Sequence, residues 1–346
     1  MQPLIDVLLA AAALFTAVAM AASPPAAMVS SPPAAINTTC SVVTAHAYPD
    51  YEYCVNVLSS SDASPSRDGR GLAVIAANAT ARSVTHTVGI IDDLLHGLTR
   101  CSGFYGLMAD NVSSTLGDLV AGRDPSESTY WDAYGLGPLN CFIELTECWS
   151  FCRDPLAQEN RDNTALVLFA MNVAMLIPKS SGSLDHRPSG ALAAAGASSP
   201  DIINTTCSSL SYSGYPGYDY CVSVLSSGSA ARDTRDLAIA ATNATAHNIT
   251  STVKLIEGLL SDLAECKLSY GGRMGKTVAS ALGDLVVGRA LLGAANKLAD
   301  ASRDAVDCDA VMSKRRGIAK NVLYQENAEN FVSAHFASNV VMYAVN

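Results

Sequence analysis

The residues of this chain best placed to do chemistry are its ten cysteines. Cys40 and Cys54 lie fourteen residues apart, as do Cys207 and Cys221, with Pro49 or Pro216 between them. A turn at the proline can bring two short helices together, so each pair would staple a hairpin. Cys101 with Cys141, and Cys266 with Cys308, span about forty residues and can join neighbouring helices of a bundle. An even cysteine count at repeated spacings reads as a disulfide framework made in an oxidising compartment, with other connectivities formally open. Cys148 and Cys152 follow Cys141 at a spacing of four. On a helix they share a face, with Cα atoms about 6 Å apart, near the upper limit for a bond.

The remaining reactive residues do not assemble into a known catalytic pattern. The run YGGRMGKTVAS resembles a phosphate-binding loop, but Tyr270 stands where its first glycine is required and no strand precedes it. Lys276 then reads as a solvated helix residue. No H-E-x-x-H, G-x-S-x-G or C-x2-C pair occurs, and the six histidines are scattered. His86 and His96, ten residues apart on one predicted helix, fall on opposite edges of its apolar stripe. No cofactor, no metal and no catalytic site are expected. Asp118 and Asp284, in the repeated LGDLV, point away from the apolar stripe and are candidates for contact with a partner protein. Lys314, Arg315, Arg316 and Lys320 form a small basic face of the kind that is usually just solvated.

The elements that would position these residues follow from composition. A net charge of -10 with no basic stripe disfavours nucleic acid. An apolar run from Val7 to Ala22, with Ala19-Met20-Ala21 as an A-x-A site, reads as a secretory signal peptide over 1–22. Asp6 is atypical for such a segment, and the alternative is a short membrane anchor. Pro24 and Pro25 follow directly, however, and about 20 apolar residues are needed to span a bilayer. The run Ala165 to Ile177 is too short to cross and suits a buried helix. A secreted protein with no membrane contact after cleavage is expected. Six N-x-S/T sequons begin at Asn37, Asn78, Asn111, Asn204, Asn243 and Asn248, as in a secreted glycoprotein.

The sequence is internally duplicated. INTTC at Ile36 recurs at Ile203, YPDYEYCVNVLSS at Tyr48 recurs as YPGYDYCVSVLSS at Tyr215, and LGDLVAGR at Leu116 recurs as LGDLVVGR at Leu282. The offset holds between 165 and 167 residues, so a whole domain was copied. A Pro/Ala/Ser-rich segment at 23–35 is followed by a first helical domain over 36–178. A Ser/Gly/Pro-rich linker covers 179–200, and a second domain covers 201–346. In the first repeat Leu72, Ile75, Ala79, Val84, Val88, Ile91, Leu95 and Leu98 trace the stripe of one amphipathic helix. Phe104, Leu107, Met108, Val112, Leu116 and Leu119 fit a second helix, stopped by Gly122. Leu282, Leu285, Val286 and Gly288 repeat that ending. Last helices carry Ala165 to Ile177 and Phe331 to Val345, and alternating strand patterns are missing, so a helical bundle is the economical fold.

Taken together, the I-x-x-x-C opening, Y-D/E-Y-C-V-x-V-L around Cys54 and Cys221, and C-x3-Y at Cys101–Tyr105 and Cys266–Tyr270 resemble the plant invertase and pectin methylesterase inhibitor family. The polar QENRDN at Gln158 and QENAEN at Gln325, ahead of each last helix, match it too. The resemblance implies, for each repeat, a four-helix up-and-down bundle preceded by a helical hairpin, with two disulfides. It also implies an inhibitor of a carbohydrate-active enzyme in the plant cell wall, or apoplast. Invertase inhibitors of the family carry Pro-Lys-Phe before the fourth cysteine. Here Asn296-Lys297-Leu298 is the nearest echo, and the first repeat has Ser128-Thr129-Tyr130-Trp131 in that region. The expected partner is therefore pectin methylesterase, with acid invertase as the alternative and a structural or storage glycoprotein as a reading of another class.

Overall fold

The computed structural model describes residues 34–45, 49–60, 68–123, 132, 135–146, 154–177, 199–211, 217–226, 231–314 and 321–345. The signal-like segment, the linker, Cys148 and Cys152 lie outside them. The described residues are helical, with no strand among them. The first repeat contributes a hairpin of α1 (Ala34–Val43) and α2 (Tyr51–Ser59), a long α3 (Gly69–Val120), a π-helical turn (Gly135–Leu139) running into α4 (Asn140–Thr146), and α5 (Ala157–Met175). The second contributes the hairpin α6 (Ser199–Ser211) and α7 (Tyr218–Ser226), then α8 (Thr234–Lys267). A π-helical segment (Leu268–Met274) leads from α8 into α9 (Gly275–Val287), followed by α10 (Leu291–Ser313) and α11 (Tyr324–Val345).

Local sequence explains where these helices begin and end. Asp50, Asp68 and Asp233 each accept a hydrogen bond from the backbone N–H three residues on, at 2.7–2.9 Å, which satisfies a donor that the first turn leaves open. At the other end Gly122 and Gly288 take φ of 77° and 74°. The amides of Arg123 and Arg289 reach back to the carbonyls of Asp118 and Asp284, closing both helices on a left-handed glycine. The hairpins are closed by Cys40–Cys54 and Cys207–Cys221, while Cys101–Cys141 and Cys266–Cys308 tie the long helices to α4 and α10.

One expectation changes. The two helices anticipated at Leu72–Leu98 and Phe104–Leu119 are one continuous helix of 52 residues, about 78 Å long. Nothing in LTRCSGFYGLM breaks it, since it holds no proline, and its two glycines cost about 1 kcal/mol each against about 3 for a proline. In the second repeat the matching stretch passes through the π-helical turn at Tyr270-Gly271-Gly272 and continues as α9 without a reversal. Leu107, placed on the core stripe by its spacing, is exposed, and the buried large side chains of that turn are Tyr105 and Met108.

Because these helices do not fold back, the boundary between bundles does not coincide with the boundary between repeats. The first half of α3 packs with α9 and α11 of the second repeat, and α10 packs on those two helices. The first half of α8 packs with α5 of the first repeat, α8 also packs with α3, and α4 packs on α3. The larger core joins Ile36, Leu58 and Leu72 to Phe336 and Val340 across the repeats and runs on through Tyr105, Cys141, Val167 and Ile249, so it spans both bundles, while a smaller one joins Phe169 and Val173 to Cys207, Leu225 and Leu237. There are two four-helix bundles, each with one hairpin and two disulfides, and each takes its hairpin and first helix from one repeat and the other three helices from the other.

Candidate functional site

The exchange creates a set of paired contacts related by a pseudo-two-fold axis. The Arg70 guanidinium donates to the carbonyls of Leu285, at 2.7 Å, and Val286 at the end of α9. Its counterpart Arg235 donates to the Arg123 carbonyl at 2.9 Å, beyond the end of α3. Thr80 meets the Ser333 hydroxyl at 3.0 Å, and Thr245 donates to the Leu166 carbonyl at 3.2 Å. Tyr53 lies edge-on to Phe336, and Tyr220 edge-on to Phe169. Lys267 pairs with Asp92 at 2.7 Å where the long helices cross.

The Gln-Glu-Asn motifs sit inside the first two turns of α5 and α11 rather than in turns ahead of them. Each supplies two buried asparagines three residues apart. Tyr105 donates its hydroxyl to Asn160 Oδ1 at 2.8 Å, and Tyr270 donates to Asn327 at 2.7 Å. Asn163 then donates to Thr252, and Asn330 to Thr87, in each case across the repeats. Burial pushes both phenols well above their ordinary range, so they stay protonated as donors. The tyrosine of the C-x3-Y motif and the asparagines of the polar motif are thus parts of one internal network, which spacing alone does not reveal.

The outer ends of the bundles carry the residues singled out for partner contact. Asp118 pairs with Arg123 at 2.6 Å, and Asp284 with Lys297 at 2.6 Å. Both carboxylates are fixed at a helix end beside exposed valines: Val120 is 68 % exposed, and Val286 and Val287 are 62 % and 60 %. Lys297, the centre of the Asn-Lys-Leu tripeptide, is occupied with Asp284 and Ser280. Ser128 to Trp131, Arg315, Arg316 and Lys320 lie outside the described residues. Of the sequon asparagines, Asn78, Asn204 and Asn243 are exposed, whereas Asn37, Asn111 and Asn248 are half-buried.

A cleft of about 860 Å³ opens between the starts of α5 and α11, lined by Asp154, Gln158, Glu159, Arg161, Tyr324 and Gln325. Burial raises the carboxyls of Asp154 and Glu159 above their usual range. The role of Asp154 is local, since it accepts the Leu156 amide at 2.8 Å, as Asn321 does for Leu323. The phosphate-loop-like run is helical, with Lys276 exposed on α9, and His86 and His96 are also exposed. Among the described residues no group of three side chains could hold a metal, and no helix is long and apolar enough to cross a membrane.

Comparison with curated proteins and with solved structures gave no match. A family model described as plant invertase/pectin methylesterase inhibitor matches residues 34–134 and 201–342, one region in each repeat. These regions cover well over half of the chain, and the helical fold, the hairpins and the disulfides agree with them. The chain therefore belongs to the plant invertase/pectin methylesterase inhibitor family.

Proposed function

We propose that this protein is a secreted inhibitor of pectin methylesterase that works in the plant cell wall by covering the enzyme's substrate cleft. Members of its family inhibit invertase or pectin methylesterase rather than catalyse a reaction. The observation that supports a blocking mechanism is the construction of the bundle ends. One presents exposed Val120 beside Asp118 and the other exposed Val286 and Val287 beside Asp284, and each carboxylate is held in place by its own ion pair. Surfaces already ordered by disulfides and helix caps lose little conformational freedom on docking, which favours tight binding. Pectin methylesterase is preferred over invertase because neither repeat has the Pro-Lys-Phe tripeptide.

The test is titration of purified plant pectin methylesterase and, in parallel, acid invertase with the oxidised full chain. Stoichiometric loss of pectin methylesterase activity alone is expected, with Val286→Glu/Val287→Glu weakening it at least ten-fold at one end. Loss of invertase activity alone would reassign the target. No effect on several forms of either enzyme would favour a structural glycoprotein.

A further inference from the structure

We infer that the seam between the two repeats is an interaction surface in its own right, and that the partner it fits is a second copy of a repeat. The contacts across the seam come in equivalent pairs: Arg70 with Arg235, Thr80 with Thr245, Thr87 with Thr252, and Tyr53 with Tyr220 each engage the opposite repeat. A surface whose two sides are built from the same residues is isologous, so either repeat carries both halves of it. Among the described residues no disulfide crosses the seam. The four disulfides among them each lie within a repeat, and the second repeat's Cys207, Cys221, Cys266 and Cys308 are all used.

A buried amide contact distinguishes the two repeats as self-partners. Asn248 of the second repeat donates to Asn163 Oδ1 of the first at 3.2 Å. Its counterpart in the first repeat is Ser83, and Asn330 Oδ1, which Ser83 would have to reach, is buried with no hydrogen-bond partner. Pairing two second repeats would set Asn248 against Asn330 twice and satisfy both oxygens. Pairing two first repeats would set Ser83 against Asn163 twice and satisfy neither. Buried, unpaired amide oxygens are destabilising, so the second repeat pairs with itself the more tightly, by about ten-fold or more.

The full chain, carrying a specific protease site within residues 179–200, is folded, oxidised and then cut. The halves should elute together at the mass of the uncut chain and separate only in denaturant. A second variant, Thr80→Cys/Ser333→Cys, places thiols where two hydroxyls now meet. After cutting, it should run as one full-mass band on a non-reducing denaturing gel. Two half-mass species from the folded, cut chain under native conditions would overturn the inference, whether or not the cysteine variant folds. Unfolding and refolding the cut chain without reduction should give both like pairs alongside the mixed pair by native mass spectrometry. The second-repeat pair should survive dilution about ten-fold further than the first. The mixed pair alone, or first-repeat pairs that last as long, would refute self-complementarity as argued.

Discussion

The side-chain amide of Asn248 donates to Oδ1 of Asn163 at 3.2 Å, and the other bundle lacks this bond, because the equivalent position opposite Asn330, the twin of Asn163, holds the shorter Ser83, whose hydroxyl makes no bond to it. Asn330 uses its own amide on Thr87 Oγ1 and on the Glu326 carbonyl, so only its oxygen is left over. Ser83→Asn should supply the missing donor and stabilise the chain by about 1 kcal/mol. Thermal melting of protein from a host that does not glycosylate reads this, since the change also creates a sequon with Thr85. An unchanged or lower melting temperature would refute it.

The network around Tyr105 and Tyr270 gives a signed prediction in alkali. A phenol whose folded value lies above its unfolded one, about 10, keeps its proton longer in the folded state. Its contribution is therefore complete below about pH 10 and is lost as pH rises past that point. Urea midpoints should fall from pH 9 to 11, and less steeply in Tyr105→Phe/Tyr270→Phe. Each single Phe variant should be weaker by about 1–2 kcal/mol at pH 7, because Asn160 or Asn327 loses its donor.

Two glycines with the same backbone should respond differently to alanine. Gly122 and Gly288 both have positive φ, which alone costs about 1 kcal/mol for a side chain. At Gly122 a Cβ meets open space, whereas at Gly288 it would stand 2.6 Å from Arg70 Nη1. Gly288→Ala should therefore be the more destabilising and should also displace the guanidinium from the Leu285 and Val286 carbonyls. Equal losses in paired denaturation curves would show that Arg70 moves aside freely.

Reduction should weaken the fold severely. In the chain-entropy model each hairpin disulfide contributes about 3 kcal/mol and each of the longer loops about 4 kcal/mol. Melting with and without a reductant should differ by tens of degrees, and Cys101→Ser/Cys141→Ser should account for more of the drop than Cys40→Ser/Cys54→Ser.

Much of this architecture could be read along the chain. The stripe from Leu72 to Leu98 marked a helix whose apolar face is largely buried, because a 3.6-residue period needs no knowledge of the partner. Gly122 and Gly288 marked helix ends, because only glycine takes the left-handed cap easily. The candidate contact residues were less legible. Asp118 and Asp284 could be picked out as polar residues off the apolar stripe and candidates for a partner, but the ion pairs that fix them depend on Arg123 beyond the helix end and on Lys297 of the next helix.

The sequence by itself determined the helices, their duplication and the residues that must be buried. Only the tertiary structure decided which repeat completes which bundle. The reason is the duplication itself. Thr80 can find a hydroxyl or carbonyl on its own last helix or on the equivalent helix of the other repeat, and the local chemistry is nearly the same. The choice rests on whether the stretches around Cys101 and Cys266 reverse or run straight. Without a proline at either place the helix continues, and the first half of each repeat is carried over to the other.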